Sequence, residues 1–310
     1  MSFKDNIETR LSDQCILCEG GNFSQISYPK RSPGPIVKCQ DPECGMVFVN
    51  PIENYESLIA GAAYLKDESP ALLVSCDEAD LENRWEKEGI QETMKEYGPK
   101  AASASWVLER IEKYLPNRGI LLDFGTYCGI FLKVAKERGW EAYGLEPLPG
   151  PGIFARSRGL NVFTGTLDGG KFPPENFPER FDVITASQVF EHLVNPVATL
   201  AALKPLIQPG GLIVLDVPNI DSIFVRSLGK RSRIFQPDHL SFFNRRTLTK
   251  LATDQGFKVL ETGSPKRTSS LSWVARELPL LNSLNRVGSG RFTLSLPRPD
   301  IIYIIAQKAA

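Results

Sequence analysis

The sequence predicts an α/β protein: a mostly parallel sheet wrapped by helices, preceded by a small metal-stapled module. Three observations carry that prediction. Short apolar runs alternate with helix-spaced segments from Gly119 onward. Several of those runs end in an acid beside a glycine turn, and four of the six cysteines fall between Cys15 and Cys44. The 310 residues carry 36 basic and 36 acidic side chains, so the net charge is zero and no basic block argues for a nucleic-acid partner. Apolar residues at 42% and charged ones at 23% exclude disorder as the main state. No apolar run approaches the roughly 18 residues of a membrane span. Residues 1–13 lack the apolar core of a secretory signal, so a cytoplasmic protein is expected.

The cysteines read Cys15-x2-Cys18, then Cys39-x4-Cys44. Two close pairs separated by about twenty residues is the layout of a tetrahedral zinc site, each pair giving two thiolates from one turn. Unligated buried cysteines or a redox pair is the alternative. A four-thiolate zinc is closed to substrate, so it would fold residues 1–51 without catalysing. Strands are expected at Ile36 to Lys38 and Met46 to Val49, with Asn50-Pro51 ending the module. Residues 52–117 read as a helical linker and cofactor-covering helices, with Leu58, Ile59, Ala62 and Ala63 at helix spacing and a last helix from Ala104 to Tyr114.

The main domain is expected over residues 118–310. Its strands are Ile120 to Phe124, Glu141 to Glu146, Asn161 to Thr164, Phe181 to Ala186 and Leu212 to Val217, then Phe257 to Thr262 and Asp300 to Gln307. Helices are expected from Gly129 to Arg138, Phe154 to Arg158, Val197 to Leu206 and Arg246 to Gln255. Pro209-Gly210-Gly211 reads as a turn before the fifth strand. The last two strands lack helical text between them and fit an antiparallel hairpin with an insertion at about 264–299.

In an open α/β sheet, ligands bind beyond the C-terminal strand ends. After the first strand comes Asp123-Phe124-Gly125-Thr126-Tyr127-Cys128-Gly129, where glycines let main chain pass close under a ligand. Glu146 ends the second strand, where a carboxylate can accept both ribose hydroxyls of a nucleotide. A nicotinamide fingerprint would need G-x-G-x-x-G, and the loop has glycines only at 125 and 129.

Leu-Leu-Asp-Phe-Gly-x-x-x-Gly, Gly144-Leu145-Glu146-Pro147, Phe181-Asp182-Val183-Ile184, Val189-Phe190-Glu191-His192-Leu193 and Pro209-Gly210-Gly211 occur in that order. Together they resemble class I S-adenosylmethionine-dependent methyltransferases, over about residues 119–262. The cysteine pairs with Val49-Asn50-Pro51, and Asp238-His239-Leu240-Ser241-Phe242-Phe243, resemble a subgroup with an N-terminal zinc knuckle, found in sugar, polysaccharide or secondary-metabolite pathways. The resemblance implies a Rossmann-like sheet of seven strands, mostly parallel with an antiparallel last strand. It implies S-adenosylmethionine as cofactor. Asp123 would anchor the loop, Gly125, Thr126 and Gly129 would lie beside the methionine part, and Glu146 would hold the ribose. Leu167 and Asp168 would border the adenine, with Ser187 and Gln188 facing the sulfonium. The family usually has a glycine where this chain has Tyr127. A fold kept only for binding or scaffolding is the alternative from another class, and an NAD-dependent dehydrogenase is a third.

The chain has two histidines, His192 and His239, both just after strand ends. Methyl transfer to a hydroxyl needs proximity and removal of a proton, and imidazole has a suitable pKa. Either histidine is therefore a candidate general base, against the plainer reading of a cap or a backbone bond. Arg226, Lys230, Arg231 and Arg233 lie in a long segment, about 219–244, and would suit a phosphorylated acceptor such as a nucleotide sugar. They read equally as a solvated face. Leu271, Trp273, Val274, Leu278, Leu280 and Leu281 mark the second insertion as a lid, a dimer face or a lipid contact. Cys128 reads as packing, and Cys76 has no assignable role.

Overall fold

The computed structural model describes residues 13–27, 32–52, 96–167, 172–229, 232, 234–270 and 293–309. The helices expected between residues 55 and 95, with Cys76, lie outside them, as do Asp168, Lys230, Arg231, Arg233 and the apolar residues of 271–292.

The N-terminal segment forms an antiparallel meander of β1 (Phe23–Ser27), β2 (Ile36–Cys39) and β3 (Val47–Val49). β1 was not legible, because its FSQIS text has two apolar side chains and stays half-exposed. Helix α1 (Tyr97–Glu112) follows and buries Ala104, Leu108 and Ile111, the i, i+4, i+7 face of an amphipathic helix.

Next come β4 (Ile120–Phe124), α2 (Ile130–Glu137), β5 (Glu141–Glu146), α3 (Pro149–Ser157) and β6 (Asn161–Thr164). β7 (Phe181–Ser187), α4 (Pro196–Leu203) and β8 (Ile207–Pro218) continue the alternation. Pro209-Gly210-Gly211 is not a turn before β8 but lies within it. Phe181 pairs with Ile207 and Val183 with Leu212, so the extra residues bulge out of the ladder, with Gly210 at φ 75°. The segment after β8 folds into a short α5 (Ile223–Leu228), capped by Ser222, and then β9 (Ser241–Phe242). The chain closes with α6 (Arg245–Asp254), β10 (Phe257–Gly263), β11 (Lys266–Ser270), β12 (Thr293–Pro297) and β13 (Ile301–Lys308).

Seven strands form one sheet in the order β10-β13-β8-β7-β4-β5-β6. β8, β7, β4, β5 and β6 run parallel, while β13 is antiparallel to both β8 and β10. This is the expected Rossmann-like mixed sheet. Strand order reverses between β4 and β7, the crevice where such sheets bind ligands. Alternation along the strands fills both faces: Leu122, Ile184 and Ile213 go one way, Leu121, Val183 and Val214 the other. β11 and β12 pair as a separate ribbon at the base of the second insertion, and the Thr268 amide donates to Ser103 Oγ of α1 at 3.1 Å.

The meander is not packed apart from this sheet. β3 pairs with β9, Val47 opposite Phe242, giving a four-stranded sheet β1-β2-β3-β9. Two residues are too short for any sequence pattern, so only tertiary pairing makes β9 a strand. Phe48 and Met46, both completely buried, share an apolar cluster with Phe190, Phe243 and Leu248. Phe48→Ala should therefore cost about 3–5 kcal/mol and lower a single unfolding transition. Urea melts followed by both tryptophan fluorescence and circular dichroism will check this; two separate transitions would contradict a shared core.

Candidate functional site

The loop after β4 turns sharply because its glycines stand where other side chains would not fit. Gly125 has φ 80°, and a Cβ there would meet Val189 Cγ2 at 2.6 Å. Gly129 has φ 73°, with Leu160 and Ala155 against it, and opens α2. Tyr127 adopts φ 50° in the left-handed region although it is not glycine.

One carboxylate ties this loop to the next strand. Glu146 Oε2 accepts the Tyr127 amide at 2.7 Å, and Oε1 accepts the Leu148 amide at 2.9 Å. Glu146 is buried, and burial pushes its pKa up to about 7 despite those two amides. Asp123, also buried, is pushed up to about 6, chiefly by burial, with Asp216 raising it further. Thr185 Oγ1 donates to Asp123 Oδ1 at 2.8 Å. Across β7, Gln188 Nε2 donates to Asp216 Oδ1 at 2.8 Å, and its amide to the Asp216 carbonyl at 2.8 Å. Gln188 pays for this with φ 56°.

These strand ends open on a cavity of about 520 Å³, a size typical of ligand pockets. Asp123, Gly125, Thr126, Ser187 and Gln188 line it, with Tyr127, Cys128, Thr185 and Asp216. Its other walls are Glu96, Lys100, Ser103 and Val107 from α1, Pro265, Lys266 and Thr268 near β11, and Arg298. Arg298 is held by a two-pronged ion pair with Asp300 at 2.8 and 2.6 Å. Glu146 and Gly129 support the loop from outside the wall, and Leu167 packs on the main core. Asp216 was missed by the sequence reading, although it obeys the same signal as Asp123 and Glu146, an acid near the end of a parallel strand. Helix α1, from the stretch expected to cover the cofactor, forms one wall of this cavity.

The two histidines lie together elsewhere. Their rings meet edge to face with centroids 4.8 Å apart, and neither lines the cavity. His192 Nδ1 lies 3.0 Å from the Asp238 carbonyl. His239 is buried, its Nδ1 is 2.8 Å from the Ile234 carbonyl, and burial lowers its pKa to about 3. The two positions expected to offer a general base thus lie off the wall of this cavity. Nearby chain segments supply the backbone partners each ring needs, which sequence spacing cannot reveal. Arg226 is exposed on α5, away from the cavity wall. Cys128 is buried on that wall, and burial pushes its thiol up to about 12, in keeping with packing and not with a nucleophile.

The four cysteines converge. Cys15 and Cys44 sulfurs are 3.7 Å apart, Cys18 and Cys39 sulfurs 3.6 Å, and all four lie within 4.8 Å of one another. A tetrahedron with Zn–S bonds of about 2.3 Å has sulfurs about 3.8 Å apart, so the set fits zinc. The Leu17 amide points at Cys15 Sγ at 3.5 Å, and contact with the Cys44 thiol lowers the Cys15 pKa. Among the described residues no helix is long and apolar enough to cross a membrane.

Residues 94–262 match the family described as a methyltransferase domain, more than half of the chain. A ubiquinone biosynthesis O-methyltransferase of Aeromonas salmonicida is 24% identical over 146 residues, covering 46% of this chain and 59% of that protein. One of Cereibacter sphaeroides is 32% identical over 113 residues, 34% of this chain and 44% of that protein. The chain thus spans little more than half the length of the curated relatives it matches. Among solved structures, one chain of the complex between the Haloferax volcanii Trm112 methyltransferase activator and a methyltransferase superposes with a TM-score of 0.52. Its identity is 16%, over 73% of this chain and 97% of that one, a likeness of fold.

The buried acids make stability depend on pH. Glu146 binds its proton more tightly folded, at about 7, than in its ordinary state at 4.5, and Asp123 at about 6 against 3.8. The native state then holds more protons than the unfolded chain between those values, so stability falls as pH rises from about 4.5 to 7. Glu146→Gln should remove its share of that fall, on the order of 3 kcal/mol. Thermal melts of ligand-free protein between pH 5 and 8 measure it; an equally steep fall in the variant would refute the role of burial.

Proposed function

The chain belongs to the methyltransferase-domain family, and we propose that it moves a methyl group from S-adenosylmethionine to a hydroxyl of a small-molecule acceptor. The observation that carries this reading is the placement of Asp123, Glu146 and Asp216, three buried carboxylates, at the C-terminal ends of parallel strands around a glycine-hinged loop. Burial makes the charged forms of Asp123 and Glu146 costly, and a positively charged ligand relieves that cost. The residues suit the cofactor: acids for its cationic groups and hydroxyls, and a loop where Cβ atoms would intrude.

S-adenosylmethionine supplies a sulfonium methyl ready for displacement. Glu146 offers the remaining lone pairs of its two oxygens to the ribose hydroxyls, beside the amides it holds. Gly125, Thr126 and Gly129 pass main chain beside the methionine part, with Asp123 and Asp216 supplying negative charge. Leu167, together with Asp168, borders the adenine. Ser187 and Gln188 orient the sulfonium end toward the acceptor. In-line transfer needs alignment above all, and the α1 and β11 walls provide it on the acceptor side.

Oxygen as the methylated atom follows the ubiquinone biosynthesis O-methyltransferases to which the chain is similar. A sugar or nucleotide-linked sugar is the acceptor implied by the cysteine-bearing subgroup, and Lys100, Lys266 and Arg298 on the cavity wall suit its phosphates. Calorimetry with S-adenosylhomocysteine should show binding, and Glu146→Gln should weaken it at least tenfold, about 1.4 kcal/mol. No heat in the wild type would leave a fold kept for scaffolding. Mass spectrometry of nucleotide sugars incubated with enzyme and cofactor should show the methylated product; methylation of simple phenols alone would overturn the sugar assignment.

We also infer that Cys15, Cys18, Cys39 and Cys44 bind one structural zinc as thiolates. A mercurial thiol reagent should release it from the full chain, and Cys39→Ser should lose that equivalent and several degrees of Tm. A Cys39→Ser protein with unchanged metal content and Tm would refute the site.

A further inference from the structure

We propose that Glu191, His192 and His239 form a second metal site, distinct from the four thiolates, for a divalent cation of the zinc class. The fold brings together the chain's two histidines from positions 47 residues apart, in different connections after β7 and β8. One ligand atom from each of the three residues lies within 4.8 Å of the others, and His192 Nε2 is 3.9 Å from Glu191 Oε1. Zinc with ligands at about 2.1 Å spaces them by about 3.4 Å, so small side-chain shifts close the set on an ion.

The surroundings fix the rings for this task. A backbone carbonyl only accepts hydrogen bonds. His192 Nδ1 faces the Asp238 carbonyl at 3.0 Å and His239 Nδ1 faces the Ile234 carbonyl at 2.8 Å. Both rings therefore carry their proton on Nδ1, which leaves each Nε2 as a lone-pair donor. Metal-bound histidines characteristically hold their far nitrogen this way, on a carbonyl or carboxylate. Asp238 Oδ2, 3.4 Å from His192 Nδ1, adds a carboxylate behind that ring. The frame is tied by main chain as well, since the Leu240 amide donates to the Glu191 carbonyl at 2.7 Å.

Two imidazoles and one carboxylate favour zinc-like ions over magnesium or calcium, which prefer oxygen. Three protein ligands also leave coordination open for water or another oxygen donor, unlike the closed thiolate site. This inference concerns metal binding alone and does not depend on methyl transfer.

The test uses the full chain, stripped of metal and reloaded with Zn²⁺ or Co²⁺. Elemental analysis should give two equivalents in the wild type. Glu191→Gln, His192→Ala and His239→Ala should each bind the second equivalent at least tenfold more weakly. In the Co²⁺ protein the thiolate charge-transfer band should persist in these variants, while the weaker nitrogen–oxygen d–d bands disappear. That band also reports folding, and the partly exposed His192 and the Glu191→Gln change keep the test alive if His239→Ala fails to fold. A wild type that binds only the thiolate equivalent, or a second equivalent indifferent to all three substitutions, would overturn the proposal.

Discussion

Two backbone amides converging on the buried Glu146 carboxylate hold the crevice in shape. The 2.7 Å bond from Tyr127 joins the loop after β4 to the end of β5, and the 2.9 Å bond from Leu148 fixes the same carboxylate on the turn that follows β5. They also explain how a tyrosine survives at position 127. A left-handed conformation costs a non-glycine residue about 1–2 kcal/mol. A hydrogen bond to a charged acceptor returns about 1.5–3 kcal/mol. The conformation that strains Tyr127 is the one that aims its amide at Glu146, so the two effects come as a pair. Geometry there is set by main chain.

The parts of this arrangement that were legible in the sequence are those dictated locally. β4 and β5 fall where apolar runs bounded by turn residues put them, because each is buried on two faces of a parallel sheet over most of its length. Asp123 and Glu146 were legible because an acid at the tip of such a run has nowhere apolar to go. Asp216 carries the same signature but sits two residues before the end of a longer strand, so its exposure to the crevice depends on how far β8 extends. The cysteine cluster was legible from spacing, since a metal demands ligands in pairs. β9 and the meeting of the two histidines were not, for they are created by contacts between segments far apart in the chain.

Those distant contacts give the cysteine module its place in the architecture. Val47 pairs with Phe242 and the Val49 amide donates to the Leu240 carbonyl at 2.9 Å, so the module's last strand grips the chain immediately after His239. Arg246 reaches back to the Pro42 carbonyl at 2.8 Å, beside Cys44. A segment of more than twenty residues joins β8 to β9, and a connection of that length can close in many conformations at small entropic difference. Pairing it with a strand that is itself stapled by four sulfurs selects one of them.

It follows that the cysteines act at a distance from their own fold. Among the described residues, the connection after β7 and the connection after β8 meet at Glu191, His192, Asp238 and His239, and the second of these is positioned from outside by β3. Without the zinc proposed for these cysteines, β3 would rest on its pairing with β2 and on the apolar contacts of Phe48 and Met46, and apolar contact is non-directional and fixes burial but not register. Register is what sets the Leu240 amide on the Glu191 carbonyl, and a one-residue slip would turn every side chain of β9 to the opposite face. The small module is therefore better understood as the element that sets the register of the segment carrying His239 than as an independent appendage.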